Sequence, residues 1–292
     1  MKNILVATAC MLIMHNVSSQ EFDNTPSVGI TSGLMNYQGD IHPTSFTFRQ
    51  SNPYLSLFIK QPITRHLSFK AGFGFGKVQG DDKYNRDYLQ KRNLNFYTSI
   101  KEAYAGFEIY AFPLNTNKIT PYLFAGVTVF HFNPYTFTSN GNKVFLQPLS
   151  TEGQGLDEYP DRKPYTLTQA ALTGAIGFKY LVNENCIIGF EFNQRKTFTD
   201  HLDDVSSSYV DKEKLRTAKG QLAVDLAFRG DEISNGNVYP SHGEQRGTPT
   251  EKDWYYTTGI SAEINLNAVK QSVLALFKGR HDWYYKKCPR VY

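Results

Sequence analysis

Residues 67–76 alternate strictly. Leu67, Phe69, Ala71, Phe73 and Phe75 are apolar, and Ser68, Lys70, Gly72, Gly74 and Gly76 are small or charged. A period of two sends successive side chains to opposite faces of a strand, so this run has one greasy face and one small, polar face. The pattern recurs and predicts eight strands, over 28–40, 53–63, 66–78, 95–112, 120–133, 165–181, 186–198 and 254–266. The spacers alternate in length. Those at 64–65, 113–119 and 182–185 are short and rich in turn formers, whereas 41–52, 79–94, 134–164 and 199–253 are long.

The fold class predicted is all-β, an eight-stranded antiparallel transmembrane β-barrel with long extracellular loops and short periplasmic turns. Its charges collect on the face opposite the large apolar residues. Lys60, Lys70, Glu102, Glu108, Lys179, Glu191, Arg195 and Glu263 all fall there. Eight strands enclose an interior that side chains just fill. Buried charges must pair, so the expectation is a plugged lumen holding a charge network that includes Lys70, Glu108, Lys179, Glu191, Arg195 and Glu263. Alternation alone leaves a second reading open, a soluble lipocalin-like barrel with its apolar face inward and these charges in water.

The 292 residues include 19 Tyr and 21 Phe, enough for interfacial aromatic girdles. No interior run is long and apolar enough for a transmembrane helix. Lys2, the apolar run 4–14 and small residues ahead of Gln20 read as a signal peptide over 1–19. The mature chain then divides into a barrel, 20–266, and a periplasmic tail, 267–292, whose Trp283, Tyr284 and Tyr285 suit either a membrane interface or a disordered end. Cys10 falls inside the signal segment. Export permits a disulfide between the two remaining cysteines, Cys186 and Cys288. Their spacing matches no metal site, and a diffuse net charge of +4 implies no nucleic-acid partner.

Little in the chain suggests catalysis. Asp200, His201, Asp203 and Asp204 cluster after the seventh strand. Carboxylates and an imidazole can perform acid–base chemistry or hold a cation, but the plainer reading is a polar rim that ties down a long loop. Gly72, Gly74 and Gly76 lie at period two with no following helix, so they make room in a lumen rather than cradle a phosphate. No enzyme, cofactor or metal is expected. Within the last long loop, 211–229 predicts one helix, capped by Asp211, weakened at Gly220, ended at Gly230, and carrying Leu215, Leu222 and Leu226 on one face. It reads as a lid over the barrel mouth, with a partner-binding helix as the alternative.

Several loop segments then form a recognisable set: Asn36-Tyr-Gln-Gly-Asp40, Gln147-Pro-Leu-Ser-Thr-Glu-Gly-Gln-Gly155, Arg195-Lys-Thr-Phe-Thr-Asp-His-Leu-Asp-Asp-Val205, Gly243-Glu-Gln-Arg-Gly247, Lys252-Asp-Trp-Tyr255 and Lys287-Cys-Pro-Arg290. Together they resemble the PorG-like outer-membrane barrels of Bacteroidota, over nearly all of the mature chain. The resemblance implies a non-enzymatic component of the type IX secretion system, resident in outer-membrane lipid. Its implied partners are the periplasmic ring proteins of the PorK-like and PorN-like types. A narrow small-solute channel, or an outer-membrane paralogue of another role, are the alternatives.

Overall fold

Alternation closes into a cylinder. The computed structural model describes residues 24–42, 49–114, 116–233 and 238–270. The strands are β1 (Ser27–Gln38), β2 (Asn52–Pro62), β3 (Leu67–Asp81), β4 (Asn95–Tyr110), β5 (Ile119–His131), a short hairpin of β6 (Tyr135–Phe137) and β7 (Lys143–Phe145), then β8 (Thr168–Asn183), β9 (Cys186–Thr197) and β10 (Trp254–Asn265). Consecutive long strands pair antiparallel, β5 meeting β8 past the hairpin, and β1 pairs with β10. The eight long strands therefore have no free edge, and each pairs its backbone with a neighbour on both sides.

The structure decides which face looks out. Ile59, Phe73, Ile176 and Ile260 are 59–63% exposed, while Glu108 and Lys179 are at 0% and 1%. Exposed apolar side chains run around the whole barrel, from Ile30 and Leu57 through Phe107, Val127 and Phe178 to Phe190 and Ile264. A soluble protein rarely leaves so large an apolar surface uncovered, whereas a membrane barrel needs it. The lipocalin-like alternative requires the inverse arrangement and is ruled out.

Three connections at one end are short and four at the other are long. The long ones pack into a cap. Leu146, Leu202, Val205 and Leu226 from these loops join Met35, Val78, Phe96, Phe130 and Tyr255 from the strands in one buried cluster. A second cluster lies within the cap, around Val210, Leu215, Val224 and Ala227.

Two features of the cap depart from expectation. The hairpin β6–β7 falls inside a segment read as loop, and β6 pairs with β4 through Tyr97 and Tyr135. Its signal was present: Asn140-Gly141 lies between the short apolar runs, and Gly141 has φ +78°, as a tight hairpin turn demands. The single helix expected over 211–229 is two, α2 (Lys212–Lys219) and α3 (Gln221–Ala227), after a short α1 (Asp87–Gln90) earlier in the chain. Asp211 caps α2, accepting from the Lys214 amide at 2.9 Å. Gly220 sits at φ +86° and breaks the rotation. Leu215 and Leu226 stay buried, but Leu222 turns outward, 41% exposed. The second helix ends at Ala227 because Phe228 is extended, so Gly230 is not its cap. The signal segment 1–19, Cys10, Cys288 and the tail from 271 lie outside the described residues.

Candidate functional site

The barrel interior holds four cations and four anions among the described strand residues: Lys60, Lys70, Lys179 and Arg195 with Glu102, Glu108, Glu191 and Glu263. Six of them form one alternating chain. Lys60 pairs with Glu263, Glu263 with Lys179, and Lys179 with Glu108 at 2.5 Å. Glu108 then meets Lys70 at 3.1 Å, and Lys70 meets Glu191 at 3.0 Å. Tyr110 donates to Glu108 at 2.6 Å and Tyr122 to Glu191 at 2.7 Å.

Arg195 stands apart from this chain. It pairs with Glu102 at 2.6 Å, and Tyr54 and Tyr255 each donate to that carboxylate at 2.8 Å. The Arg195 guanidinium also donates to the Thr257 hydroxyl at 2.8 Å. Arg195 and Glu191 lie four residues apart on one strand, yet each finds its partner across the lumen. Aromatic rings pack the remaining space, with Lys70 4.4 Å from the Phe58 ring centre and Lys179 4.8 Å from that of Tyr122. Such buried pairs hold a unique arrangement at a desolvation cost that only complete pairing offsets.

The glycines make this packing possible. A Cβ on Gly74 would lie 2.6 Å from the Tyr54 hydroxyl and 2.7 Å from Glu102 Oε1. Gly74→Val is therefore expected to push Glu102 off Arg195 and cost about 1–3 kcal/mol as an overpacked site. Urea unfolding in detergent micelles checks it, and an unchanged midpoint would show that the lumen has slack at this level.

The long-loop cap contains a second polar network. Arg92 clamps Asp82 with two 2.8 Å bonds and donates to the Asp40 carbonyl at 3.0 Å and to the Arg246 carbonyl. Arg246 donates to Glu152 at 2.9 Å and to the carbonyls of Ala227 and Asp204. Glu152 in turn accepts from Ser206 and Ser207 amides. Two buried arginines thus tie all four long loops together. Sequence reasoning did not single out Arg92, Arg246, Glu152, Asp40 or Asp253 as site residues, although four of them lie within the segments that carry the family resemblance. Tyr37, Asp40, Glu152, Asp203, Asp204, Arg246 and Asp253 come from five such segments and meet in this cap.

The Asp–His cluster belongs to it, each carboxyl accepting hydrogen bonds from the loops around it. Asp203 accepts from the Tyr37 hydroxyl at 2.6 Å and from the amides of Ile41 and Val205. Asp253 lies 3.1 Å from the same hydroxyl and accepts from the Leu202 amide. Tyr37 has one hydroxyl proton to offer these two carboxyls. Burial pushes Asp203 and Asp253 well above the usual carboxylate range, and their negative neighbours, Asp40 for Asp203 and Asp203 for Asp253, push them further. Asp204 accepts from Thr151 and Tyr165, and burial lifts it to about 6. Asp200 accepts from Ser206 at 2.8 Å, and burial lifts it to about 7. His201 lies against the Tyr165 ring, 4.5 Å between centres, and burial lowers it to about 4. Among the described residues no group of His, Cys, Asp and Glu is arranged to hold a metal ion. Cys186, half-buried at the short-turn end, makes no disulfide to a described residue; its expected partner Cys288 is outside them.

At the short-turn end a cavity of about 400 Å³ opens to solvent. Arg65, Glu184 and Asn185 line its rim, and the Lys60–Glu263 pair lies deeper in its wall.

A family profile described as "Domain of unknown function (DUF6089)" matches residues 2–224. No curated protein matches the chain in sequence. Among solved structures the chain is similar to Ail, the attachment invasion locus protein of Yersinia pestis, at 8% identity and TM-score 0.39, covering 83% of this chain and 99% of that one. It is also similar to OprG from Pseudomonas aeruginosa, at 9% identity and TM-score 0.38, covering 83% and 97%. A major outer membrane protein from Thermus thermophilus gives 12% identity and TM-score 0.37, covering 82% and 98%.

Proposed function

We propose that this chain, which belongs to the DUF6089 family, is a sealed, non-enzymatic outer-membrane barrel that serves as an attachment point for a periplasmic protein assembly. The observation that carries the reading is the complete pairing of charges through the lumen. A conducting pore needs a continuous wet path, and here paired side chains and aromatic rings occupy the section that eight strands enclose. The apolar outer face supports membrane residence. With an even number of strands, the short turns, the start of β1 and the end of β10 lie on the periplasmic side, and the tied cap lies outside the cell.

The resemblance to PorG-like barrels supplies the partner, the PorK-like and PorN-like ring of type IX secretion. The open cavity at the short-turn end, rimmed by Arg65 and Glu184, supplies a surface for it. Photo-crosslinking residues placed at positions 65 and 184 in cells test this. Capture of a ring protein from the rim, with none from the cap, is the expected result. Capture confined to the cap, or none from either end, would sink the reading. In planar bilayers the purified barrel should show no steady conductance, and a reproducible open state would favour the narrow-channel alternative instead.

A further inference from the structure

The charges of the barrel strands divide by sign. Every described glutamate in the eight strands points into the lumen: Glu102, Glu108, Glu191 and Glu263 are all buried. The charged side chains that look outward from the barrel wall are basic. Lys77, Lys101 and Lys196 alternate outward with the exposed apolar residues of their strands and are themselves exposed. The one acid at a strand end on this level, Asp81, is taken up by Lys83 at 2.8 Å.

Two of these cations are neighbours on the wall, Lys77 on β3 and Lys101 on β4. Lys101 lies opposite Phe75 on one side and His131 on the other, and Lys77 lies opposite Ser99, two residues nearer the cap. Directly opposite residues have Cβ atoms about 5 Å apart and diagonal ones about 7–8 Å, so Lys77, Lys101 and His131 form one patch. Below it the wall of β4 is apolar down to Ile109. Those eight residues span roughly 20 Å at a rise of ~3.3 Å and a tilt of ~40°, close to the height of an apolar membrane band. The patch therefore stands at the outer edge of that band. Just above it Lys143 of the hairpin lies 3.8 Å from the Tyr135 ring centre, beside exposed Phe137 and Phe145. An aromatic and basic rim is what a headgroup layer accepts. No described acidic side chain pairs with Lys77, Lys101 or Lys143.

We propose that the outward face of β3, β4 and β5 at the cap end, centred on Lys77, Lys101 and His131, binds the phosphate groups of anionic outer-leaflet glycolipid. This rests on the membrane reading above. Exposed lysines placed against the edge of an apolar band have no counter-charge among the described residues, and phosphate supplies it. The hairpin adds Lys143 and an aromatic platform at headgroup depth, which gives the site a direction around the barrel.

The test uses the whole protein in nanodiscs made with zwitterionic lipid plus a bis-phosphorylated lipid A–type glycolipid. Native mass spectrometry counts glycolipid molecules retained by parent, Lys77→Gln/Lys101→Gln and a control, Lys118→Gln, at the opposite end. The double variant should retain phosphorylated glycolipid about ten-fold or more weakly, since each basic group near the surface contributes on the order of a factor of five. The control should match the parent, and the dephosphorylated glycolipid should not distinguish the three. Heat-modifiable gel migration verifies that each barrel is folded. Equal retention by parent and double variant, or equal retention of the dephosphorylated lipid by the parent, overturns the site. A folded parent that stays out of the bilayer overturns the membrane reading, and the site with it.

Discussion

Lys179→Met should lower the stability of the barrel by about 3–5 kcal/mol, the cost of leaving a buried ion pair broken. Lys179 is the central cation of the lumen chain, bonded to both Glu108 and Glu263 and fully buried. Its removal leaves three carboxylates, Glu108, Glu191 and Glu263, sharing Lys60 and Lys70. Adding Glu108→Gln should recover much of the loss. The double variant retains two complete pairs, Lys60–Glu263 and Lys70–Glu191, and restores neutrality. Arg195→Met should be costly in its own right, because Glu102 then keeps only the Tyr54 and Tyr255 hydroxyls. Unfolding midpoints in urea, taken in one detergent for all variants, measure these effects. Equal midpoints for parent and Lys179→Met would mean that the interior is hydrated enough to screen the chain, and the sealed-lumen reading would fall with it.

The cap should be more stable in mild acid than above neutrality. Asp200 and Asp204 have folded-state values of about 7 and about 6, raised by burial from an ordinary 3.8, and burial raises Asp203 and Asp253 well above 3.8 too. A carboxyl with a raised folded value binds its proton more tightly in the folded state, so its contribution is complete near pH 4 and is lost as pH rises through 6 and 7. His201 works the other way. Its value is lowered from 6.5 to about 4, so it favours the folded cap more at pH 7 than at pH 4. His42, also lowered by burial, acts with His201, whereas Asp40, also raised by burial, acts with the four carboxyls; Glu152 is held below its ordinary value and stays charged from pH 5 to pH 8. Two histidines oppose five carboxyls, and the net slope is downward with pH. The groups that bear on these carboxyls also include Asp40, Glu152, Arg246 and Lys252. The thermal transition of the cap, followed by fluorescence, should move down between pH 5 and pH 8. Asp253→Asn should flatten that slope, since it removes one of the two carboxyls that share the Tyr37 hydroxyl. A transition that rises over this range would contradict the upward shift of Asp203 and Asp253 in the folded cap.

How far the sequence alone reached follows from which interactions are local. Period two is a property of a single strand. The eight segments, their two faces and the side taken by Lys70, Glu108, Lys179, Glu191, Arg195 and Glu263 were therefore all legible in the chain. Loop lengths were legible for the same reason, and with them the two unlike ends. Alternation is symmetric, however, and does not say which face is outward. That was decided by closure: with eight strands, Phe73 and Ile176 can only be accommodated outside when Glu108 and Lys179 fill the interior. Partner choice was also out of reach. Arg195 meets Glu102 rather than Glu191 because the stagger between strands sets which side chains share a level in the lumen, and stagger is a property of the whole cylinder. The cap shows the same division. Asp211 marked a helix start and Asn140-Gly141 marked a turn, both local signals. The two-arginine network did not show itself, because Arg92, Glu152 and Arg246 lie as much as 154 residues apart and acquire their meaning only when four loops fold over one barrel mouth.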